Sequence, residues 1–299
     1  MDIKQYRRSM LIFSGILVLA AAAGIIGFRL NAAQPKGFDG NQAYRDVEYQ
    51  VALGARVPGS SAHEKEVSWI KQELIKAGWQ AESQDGQMLG HPYQNIVGKR
   101  GSGTPWIILG AHYDSRMLAD QDPDHAKRIQ PVPGADDGAS GVAVLLELAR
   151  TLPANLHGQV WLAFFDIEDQ GDIPGWDWIL GSEAFANNLT GKPDAVIVLD
   201  MLGDKNLDIY MEKNSNHELN QEIWNQAAEL GYQNEFIPTY KYSMEDDHTP
   251  FLKMGISAAD LIDFDYPSWH TTSDTTDKLS AGSLKIVGDT LLHWISGRE

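Results

Sequence analysis

The chain has 299 residues, of which 43% are hydrophobic, with no cysteine and a formal net charge of -17 at pH 7. This length and hydrophobic content suffice for one large folded domain, whereas the excess of 41 acidic over 24 basic residues argues against a nucleic-acid partner. Without cysteine there are no disulfides and no thiolate ligands, so any bound metal must be held by histidine and carboxylate side chains.

The first forty residues contain a candidate membrane anchor. Residues 1–9 form a basic tail, and the 19 residues from Met10 to Phe28 carry no charge, which is long enough for a helix to span a bilayer. The basic flank predicts a cytoplasmic tail and an extracytoplasmic remainder, so we expect a single-pass membrane protein with no other membrane contact. A cleaved signal peptide, giving a secreted or periplasmic protein, is the alternative, although residues 31–33 are a poor cleavage site. Residues 29–40 then form a linker to a folded domain at 41–299.

From residue 41 onward, helical and strand patterns alternate. Apolar residues at helical spacing predict helices, and short continuous apolar runs predict strands buried on both faces. The predicted helices are Ala43–Leu53, Glu64–Ala77, Gly141–Leu152, Leu219–Leu230 and Leu284–Ile295. The predicted strands are Asn95–Lys99, Trp106–Ala111, Val160–Phe165, Ala195–Leu199 and Ser257–Ile262. This alternation predicts an α/β domain, a three-layer sandwich in which helices flank a mostly parallel central sheet.

Acidic residues and histidines follow the predicted strands. They are His112 and Asp114, then Asp166, Glu168 and Asp169, then Asp200, then Asp263, Asp265 and His270, with Asp136 and Asp137 in a turn before the helix at 141. The carboxyl ends of parallel strands meet at one edge of a sheet, where such folds bind ligands. Several carboxylates buried together need a compensating cation. The sequence therefore predicts a metal site at this edge.

Single members of this set have simpler explanations. A lone aspartate after a strand is usually a turn former or a helix cap, and we interpret Asp166 in that way or as a carboxylate that supports a ligand. Asp120, Asp122 and Asp124 are expected on the solvated surface. Taken together, the set supplies what zinc catalysis needs, namely about three histidine or carboxylate ligands and a nearby general base. The sequence contains no serine-hydrolase elbow and no P-loop motif.

Five motifs carry a family resemblance. In chain order they are GAHYDS (110–115), PGADDGASG (133–141), FFDIED (164–169), VLDMLG (198–203) and SWHTTSD (268–274). They resemble the M28 zinc-peptidase superfamily, which includes aminopeptidases and the animal-type glutaminyl-peptide cyclotransferases. The match extends over nearly the whole predicted domain. It implies that residues 41–299 are a zinc-dependent catalytic domain acting on the N-termini of peptides or proteins.

The resemblance also implies a role for each matching residue. It places metal ligands at Asp137, Asp169 and His270, the catalytic acid/base at Glu168, and a carboxylate that orients a histidine ligand at Asp114. In two-zinc members, the equivalents of His112 and Asp200 bind the second ion and the equivalent of Asp137 bridges. A cis peptide bond is implied between Asp137 and Gly138. Many members have glutamate where this chain has Asp169, which is shorter by one methylene.

The stretches outside these motifs leave two branches of the superfamily open. EDDHTPFLKMGI (245–256) resembles the cyclases, which carry a similar DDH-x-PFL where typical aminopeptidases have Ser-Asp-His, and Asp246 would then bind the amino group of the substrate. RVPGS (56–60) and LLELAR (145–150) also resemble the cyclases. GADDGASG is more similar to a peptidase motif, and Asp260 stands where animal cyclases tend to have a histidine. Trp176, Trp178 and Trp269 are candidates for the wall of the substrate pocket, with core packing as the alternative.

We therefore expect a cyclase-type enzyme that converts N-terminal glutamine to pyroglutamate, with one zinc ion and with Glu168 and Asp246 as catalytic residues. A zinc aminopeptidase with two zinc ions, in which Glu168 activates water, is the alternative. A non-catalytic ectodomain that keeps only the fold is a third hypothesis, and the filled ligand positions argue against it.

Overall fold

The computed structural model of the protein describes residues 37–298. The predicted basic tail, the predicted anchor Met10–Phe28 and most of the predicted linker lie outside these residues. None of the helices between residues 37 and 298 has the length and apolar character that a membrane crossing requires.

Helices and strands alternate along the described part of the chain. The helices are α1 (Gly40–Ala52), α2 (Ser61–Lys76), α3 (Ala139–Thr151), α4 (Leu180–Asn187), α5 (His217–Glu229), α6 (Thr249–Lys253) and α7 (Ala281–Ser296). The strands are β1 (Gln80–Met88), β2 (His91–Ser102), β3 (Trp106–His112), β4 (Gly158–Phe165), β5 (Ala195–Asp200), β6 (Ile209–Met211), β7 (Phe236–Tyr240) and β8 (Ala258–Ile262). Every predicted helix and strand is present, with bounds that differ by a few residues. The elements α4, α6, β1, β6 and β7 are additions that the sequence patterns did not predict.

A six-stranded sheet in the order β1-β2-β4-β3-β5-β8 forms the middle layer. From β4 to β8 the strands pair in parallel, whereas β2 runs antiparallel to both β1 and β4. The sheet is therefore mixed, and the prediction of a mostly parallel sheet describes only four of its strands. The chain turns back from β1 into β2 at Leu89 and Gly90. Their positive φ angles of 51° and 87° suit a two-residue hairpin turn. The polar strand β1 lies at the sheet edge and has no buried residue. Its sequence therefore contains no apolar run from which a strand could be predicted.

Alternating side chains of the central strands fill two separate cores. In β3, Ile107 and Leu109 pack with apolar residues of α1, α2, α3, α5 and α7. Ile108, between them, packs in a second cluster with Phe185 of α4 and Phe251 of α6. Because adjacent side chains of a strand point to opposite faces, helices cover both faces of the sheet, as predicted.

The first helix begins within the predicted linker, residues 29–40. Asp39 caps α1 by accepting hydrogen bonds from the backbone N–H of Asn41 at 3.0 Å and of Gln42 at 3.1 Å. The ring of Phe38, which is 3% exposed, lies against Gly288 of α7 so closely that a Cβ there would overlap it. The chain is thus packed onto the domain from Phe38 onward.

Helix α3 approaches the sheet closely at Gly141. A Cβ at this position would overlap the carbonyl oxygen of Leu199 in β5 and would lie 2.9 Å from the Cβ of Ala111 in β3. The absence of a side chain lets the first turn of α3 rest on the ends of both strands. This contact fixes the distance between those strand ends and Asp137, which lies two residues before the helix.

We expect Gly141→Ala to lower the free energy of unfolding by about 1–3 kcal/mol, because the added methyl group forces the helix away from the sheet. Gly282→Ala is the matched control. Gly282 also lies in the first turn of a helix, α7, and its added Cβ would meet only Ser280 Oγ, at 3.5 Å. There alanine should be neutral or stabilising, since it favours the helix. Urea unfolding monitored by circular dichroism measures both, and equal stabilities of the two variants would contradict the close contact.

Candidate metal centre and active site

The predicted site residues converge at the carboxyl edge of the sheet. His112 is the last residue of β3, Asp200 is the last residue of β5, and Asp169 lies shortly after β4. His270 lies in the loop after β8, and Asp137 lies in the turn before α3. The shared direction of β3, β4, β5 and β8 is what brings these distant parts of the chain to one place.

Two groups of three side chains offer ligand atoms within 4.8 Å of one another, and they share Asp137. We call them the two triads: His112, Asp137 and Asp200, and Asp137, Asp169 and His270. Asp137 Oδ1 lies 3.1 Å from His112 Nε2, and Asp137 Oδ2 lies 3.6 Å from His270 Nε2. Asp200 Oδ1 lies 3.2 Å from His112 Nε2, and Asp169 Oδ1 lies 3.0 Å from His270 Nε2. Each oxygen of Asp137 therefore faces a different histidine, as in a carboxylate that bridges two ions.

The donor atoms of the triads fit a bound cation. Asp137 and Asp169 are 3% and 2% exposed, and within residues 37–298 their Oδ2 atoms are buried without a hydrogen-bond partner. Burial, with the neighbouring charge of Asp137, raises the pKa of Asp169 to about 6. Burial, with other nearby carboxylates, raises the pKa of Asp200 to about 7. Imidazole nitrogen and carboxylate oxygen are ordinary zinc ligands, and a divalent ion would offset this repulsion.

Asp114 supports both His112 and the loop after β4. Its Oδ1 lies 3.6 Å from His112 Nδ1 and accepts a hydrogen bond from the N–H of Glu168 at 3.0 Å. Its Oδ2 accepts from the N–H of Asp169 at 3.3 Å and from Gln170 Nε2 at 2.9 Å. Burial would raise the pKa of Asp114, but His112 and the hydrogen bonds from Gln170 and the backbone lower it below its usual value. The ionised carboxylate thus holds a candidate ligand and the strand-end backbone in one arrangement.

Asp120 supports His270. Its side chain is 35% exposed, in partial agreement with the predicted surface position, but its Oδ1 is buried. Asp120 Oδ1 lies 3.4 Å from His270 Nδ1, the ring nitrogen that the triad does not use. Arg116 links this carboxylate to the triad, because its Nε donates to Asp120 Oδ2 at 3.2 Å and its Nη1 donates to Asp169 Oδ1 at 3.4 Å. Arg116 is 1% exposed, and its role was not predicted from the sequence. Its only local signal is the four-residue spacing from Asp120.

Three further carboxylates, predicted on the surface or in a turn, differ in burial and in hydrogen bonding. Asp122 is 2% exposed and accepts hydrogen bonds from Thr272 N–H at 3.0 Å and Thr272 Oγ1 at 2.6 Å, so its predicted surface position is wrong. Asp124 is exposed, as predicted. Asp166 accepts a hydrogen bond from the N–H of Ile167 at 2.9 Å and is a turn former, in agreement with the first of its two interpretations.

Glu168 lies beside the triads without belonging to either. Its Oε2 is 3.9 Å from His112 Nδ1, and the residue is 8% exposed. Burial is the main cause that raises the pKa of Glu168 well above its usual range, and the charges of Asp169, Asp247 and Asp246 add to this effect while His112 opposes it. A buried carboxyl group with a raised pKa beside a candidate metal site has the properties of a general acid/base.

A cavity of about 210 Å³ opens onto the triads. Its apolar wall consists of Trp178, Met201, Met244, Ile262, Phe264 and Trp269, and its acidic part includes Glu168 and Asp246. Trp269 stacks on His270 with 3.8 Å between the ring centroids, and Trp178 lies nearly parallel to the same ring at 6.0 Å. Trp176 does not line this cavity. It stacks on His91 at 3.5 Å, so its predicted place in the substrate pocket is wrong.

Three residues at this edge adopt the left-handed backbone conformation. They are Ile167, just before Glu168, with φ 48°, Met201, just after Asp200, with φ 47°, and His270 itself, with φ 54°. This conformation costs a non-glycine residue about 1–3 kcal/mol. The strain therefore lies where the chain turns out of the strands and aims the candidate functional side chains.

Two buried side chains hold the turn that carries Asp137. Arg56 is 0% exposed, pairs with Glu66 (Nε to Oε2, 3.1 Å) and donates a hydrogen bond to the carbonyl oxygen of Gly134 at 2.6 Å. Asp274 accepts a hydrogen bond from the N–H of Asp137 at 3.3 Å. The turn is thus held from both of its sides.

The implied cis peptide bond after Asp137 is not found. Between residues 37 and 298 the one cis peptide bond is Thr104–Pro105. Gly138 instead turns the chain into α3 with a φ of 94°, which only glycine adopts readily.

The EDDH motif contributes Asp246 to the cavity and buries the residues after it. Asp246 is 4% exposed and lines the cavity. Asp247 and His248 are 0% exposed, and so is Asp260 in β8. No role was predicted for Asp247 and His248, although their position next to Asp246 in the motif was a signal.

The chain is similar to proteins of two related activities. Residues 95–295 match the family model of peptidase family M28. The uncharacterised protein YfbL of Escherichia coli is 36% identical over 141 residues, which cover 46% of this chain and 42% of YfbL, so the match spans less than half of that relative. The glutaminyl-peptide cyclotransferase of Boiga irregularis is 26% identical over 285 residues, which cover 79% of this chain and 75% of that protein.

The chain is also similar to solved structures of proteins that are named for the same two kinds of activity. The glutaminyl cyclase of Tannerella forsythia has a TM-score of 0.83 and 34% identity and covers 88% of this chain and 100% of its own. A Zn-dependent exopeptidase from Parabacteroides distasonis has a TM-score of 0.83 and 31% identity, covering 89% and 100%. A leucine aminopeptidase precursor from Bacteroides thetaiotaomicron has a TM-score of 0.85 and 30% identity, covering 89% and 99%. These similarities imply zinc as the metal.

We expect Asp120→Asn to weaken zinc binding by roughly 10- to 100-fold, since a carboxylate that orients a histidine ligand contributes about this much. His270→Ala, which removes the ligand itself, should weaken binding further. Asp124→Asn, an exposed aspartate of the same loop, is the control and should bind zinc like the wild type. Competition with a chromophoric chelator measures the three affinities, with circular dichroism to check folding. Wild-type affinity in Asp120→Asn would show that Asp120 does not act on the metal site.

Proposed function

The chain belongs to peptidase family M28, and on this basis we propose that it is a zinc-dependent glutaminyl-peptide cyclotransferase, which converts the N-terminal glutamine of peptides or proteins to pyroglutamate with release of ammonia. The resemblance of its EDDHTPFL segment to the cyclases and its similarity to glutaminyl cyclases of known structure support this choice.

The position of Asp246 carries the proposal. It is a nearly buried carboxylate in the lining of the cavity that also holds Glu168 and the triad of His270. A glutamine at a peptide N-terminus presents an amino group and a side-chain amide a few bonds apart. The cavity matches this pair, with a carboxylate for the amino group and a metal triad for the amide oxygen.

The proposed reaction needs one proton carrier and a site from which water is excluded. Bound zinc supplies polarisation of the side-chain amide carbonyl. Asp246 holds the α-amino group, whose nitrogen attacks the amide carbon. Glu168 accepts the proton that the amine loses and delivers it to the departing ammonia as the carbon–nitrogen bond of the amide breaks. Trp178 and Trp269 form apolar walls that limit the access of competing water.

A zinc aminopeptidase is the second candidate, and the shared carboxylate of Asp137 favours it. Two triads that share one carboxylate could hold two metal ions, and such ions would supply stabilisation of the charge that develops when water attacks the first peptide bond. In this reaction Glu168 takes the proton from the attacking water. The leucine aminopeptidase precursor of similar structure supports this alternative.

The products distinguish the two activities. We would incubate the full chain with zinc and two peptides, one beginning with glutamine and one beginning with leucine, and read the product masses. We expect the glutamine peptide to lose one ammonia and the leucine peptide to stay intact. A parallel sample with a metal chelator corrects for spontaneous cyclisation. Release of a free N-terminal amino acid from either peptide would replace the cyclase with the aminopeptidase.

Glu168→Gln should lower kcat by roughly 10²- to 10⁴-fold, the usual contribution of a general acid/base, because the amide side chain cannot carry the proton. Zinc content should stay at the wild-type level, since Glu168 belongs to neither triad. Glu183→Gln, at an exposed glutamate of α4, is the control for the substitution itself. Steady-state kinetics with the reactive peptide provides the measurement. Near-wild-type turnover in Glu168→Gln would remove Glu168 from the mechanism.

A further inference from the structure

The segment between β4 and α4 carries two tryptophans that face different parts of the protein. We call residues 171–178 the cavity loop, and it contains only turns and bends. Trp178, at its end, lines the cavity beside the triads. Trp176, two residues earlier, lies outside the cavity and contacts the β1–β2 hairpin instead. The loop therefore connects the cavity wall to a hairpin that itself supplies no residue to the cavity lining.

Both ends of the cavity loop are tied to the strand end that carries Glu168 and Asp169. The N–H of Ile179 donates a hydrogen bond to the carbonyl oxygen of Glu168 at 3.0 Å. Arg116 donates to the carbonyl oxygen of Asp169 at 3.2 Å through Nη1 and to that of Gly171 at 2.9 Å through Nη2. These bonds fix the two ends of the loop beside the triads.

The middle of the cavity loop is held by His91, at the start of β2. The His91 ring stacks on Trp176 with 3.5 Å between the ring centroids and 13° between the ring planes. Its Nε2–H donates a hydrogen bond to the carbonyl oxygen of Gly175 at 2.8 Å. Within the part of the chain that the structure describes, this is the one hydrogen bond between residues 172–177 and any residue outside 168–179. One side chain thus restrains the loop in two ways.

The indole of Trp178 fits closely between its neighbours. It lies against Gly171, where an added Cβ would overlap the ring, and the guanidinium carbon of Arg116 lies 4.9 Å from its centroid. These contacts orient the indole only while the backbone from Trp176 to Trp178 keeps its place. Release of Trp176 from His91 would therefore change the wall of the cavity.

We propose that His91 is a positioning residue: by stacking on Trp176 and bonding Gly175, it holds the cavity loop so that Trp178 forms a wall for the first residue of the substrate. His91 belongs to neither triad and does not line the cavity. The part of this inference that concerns substrate rests on the proposed function. The part that concerns the orientation of Trp178 is a property of the fold and is measured without any reaction.

Fluorine NMR of the full chain labelled with 5-fluorotryptophan tests the effect on Trp178. The chain has nine tryptophans, and the resonance that disappears in Trp178→Phe identifies this one. With zinc present, we expect His91→Ala to shift or broaden the Trp178 resonance, because the loop is no longer held in one place. His217→Ala is the matched control, since His217 is an exposed histidine whose ring lies 4.9 Å from that of Tyr240. The control should leave the resonance unchanged, and an unchanged resonance in His91→Ala would overturn the proposal.

Steady-state kinetics separates a positioning role from a catalytic one. His91→Ala should raise KM for the reactive peptide by about two- to tenfold, the usual contribution of one aromatic contact. The value of kcat and the zinc content should stay near those of the wild type, because Glu168 and the triads are unchanged. His91→Phe keeps a ring on Trp176 and should bring KM back towards the wild-type value. A KM in His91→Phe equal to that of His91→Ala, or a fall in kcat at unchanged KM, would overturn the proposed role.

A wild type that processes neither peptide would refute the proposed function. The Trp178 resonance would then decide by itself whether His91 positions the loop, so the two failures are distinguishable.

Trp176→Leu tests the stack from its other side and replaces His91→Ala if thermal unfolding shows that the latter is not folded. Leucine keeps apolar packing against Tyr93 and Leu180 but removes the stack. It should change the Trp178 resonance and KM as His91→Ala does. The double variant should be no more affected than the more affected single variant, since both substitutions remove the same contact. Effects on KM that multiply in the double variant would show that the two residues act separately and would overturn the proposal.

Discussion

The desolvation of carboxylates at one edge of the sheet is the constraint around which the site is arranged. Burial raises the pKa of Glu168, Asp169 and Asp200, so each of these groups resists ionisation where it stands. The fold brings them together all the same, because parallel strands end at a common edge. The surrounding structure then supplies what carboxylates need: histidine nitrogens at 3.0–3.2 Å and room for a cation.

A second set of buried groups holds the backbone rather than the ligand atoms. Asp114 accepts hydrogen bonds from the strand end that carries Glu168, and Asp274 accepts from the turn that carries Asp137. Arg56 donates to the carbonyl oxygen of Gly134, and Arg116 donates to those of Asp169 and Gly171. Buried ion pairs of this kind contribute little net stability, because desolvation offsets their attraction. Their effect is to hold these turns in one conformation, and the bonds from Asp114 to the backbone of Glu168 and Asp169 also restrain the strained residue Ile167 beside them.

The sequence was informative wherever a residue's role follows from its own neighbours in the chain. The strand Val160–Phe165 is buried on both faces and therefore reads as an apolar run, and the acidic residues after it mark its carboxyl end. Polar β1 gave no such pattern, because an edge strand needs no apolar side chain to be held. Asp122 was misplaced, and the contact of Asp120 with a candidate ligand was missed, because their partners, Thr272 and His270, lie 150 residues further along the chain. The family resemblance supplied the candidate ligands, whereas the role of Arg116 required coordinates.

The stacking of Trp269 on His270 couples the orientation of a candidate metal ligand to the shape of the cavity wall. An imidazole held against an indole loses its rotational freedom when the chain folds, so it gives up little more when an ion arrives. The same indole lines the cavity beside the triads, where the proposed peptide substrate would bind. Any replacement of Trp269 that widens or reshapes that surface also frees the ring beside it. Changes in substrate preference at this wall, whether in evolution or in engineering, therefore have to be accompanied by another restraint on His270 if the ion is to be kept.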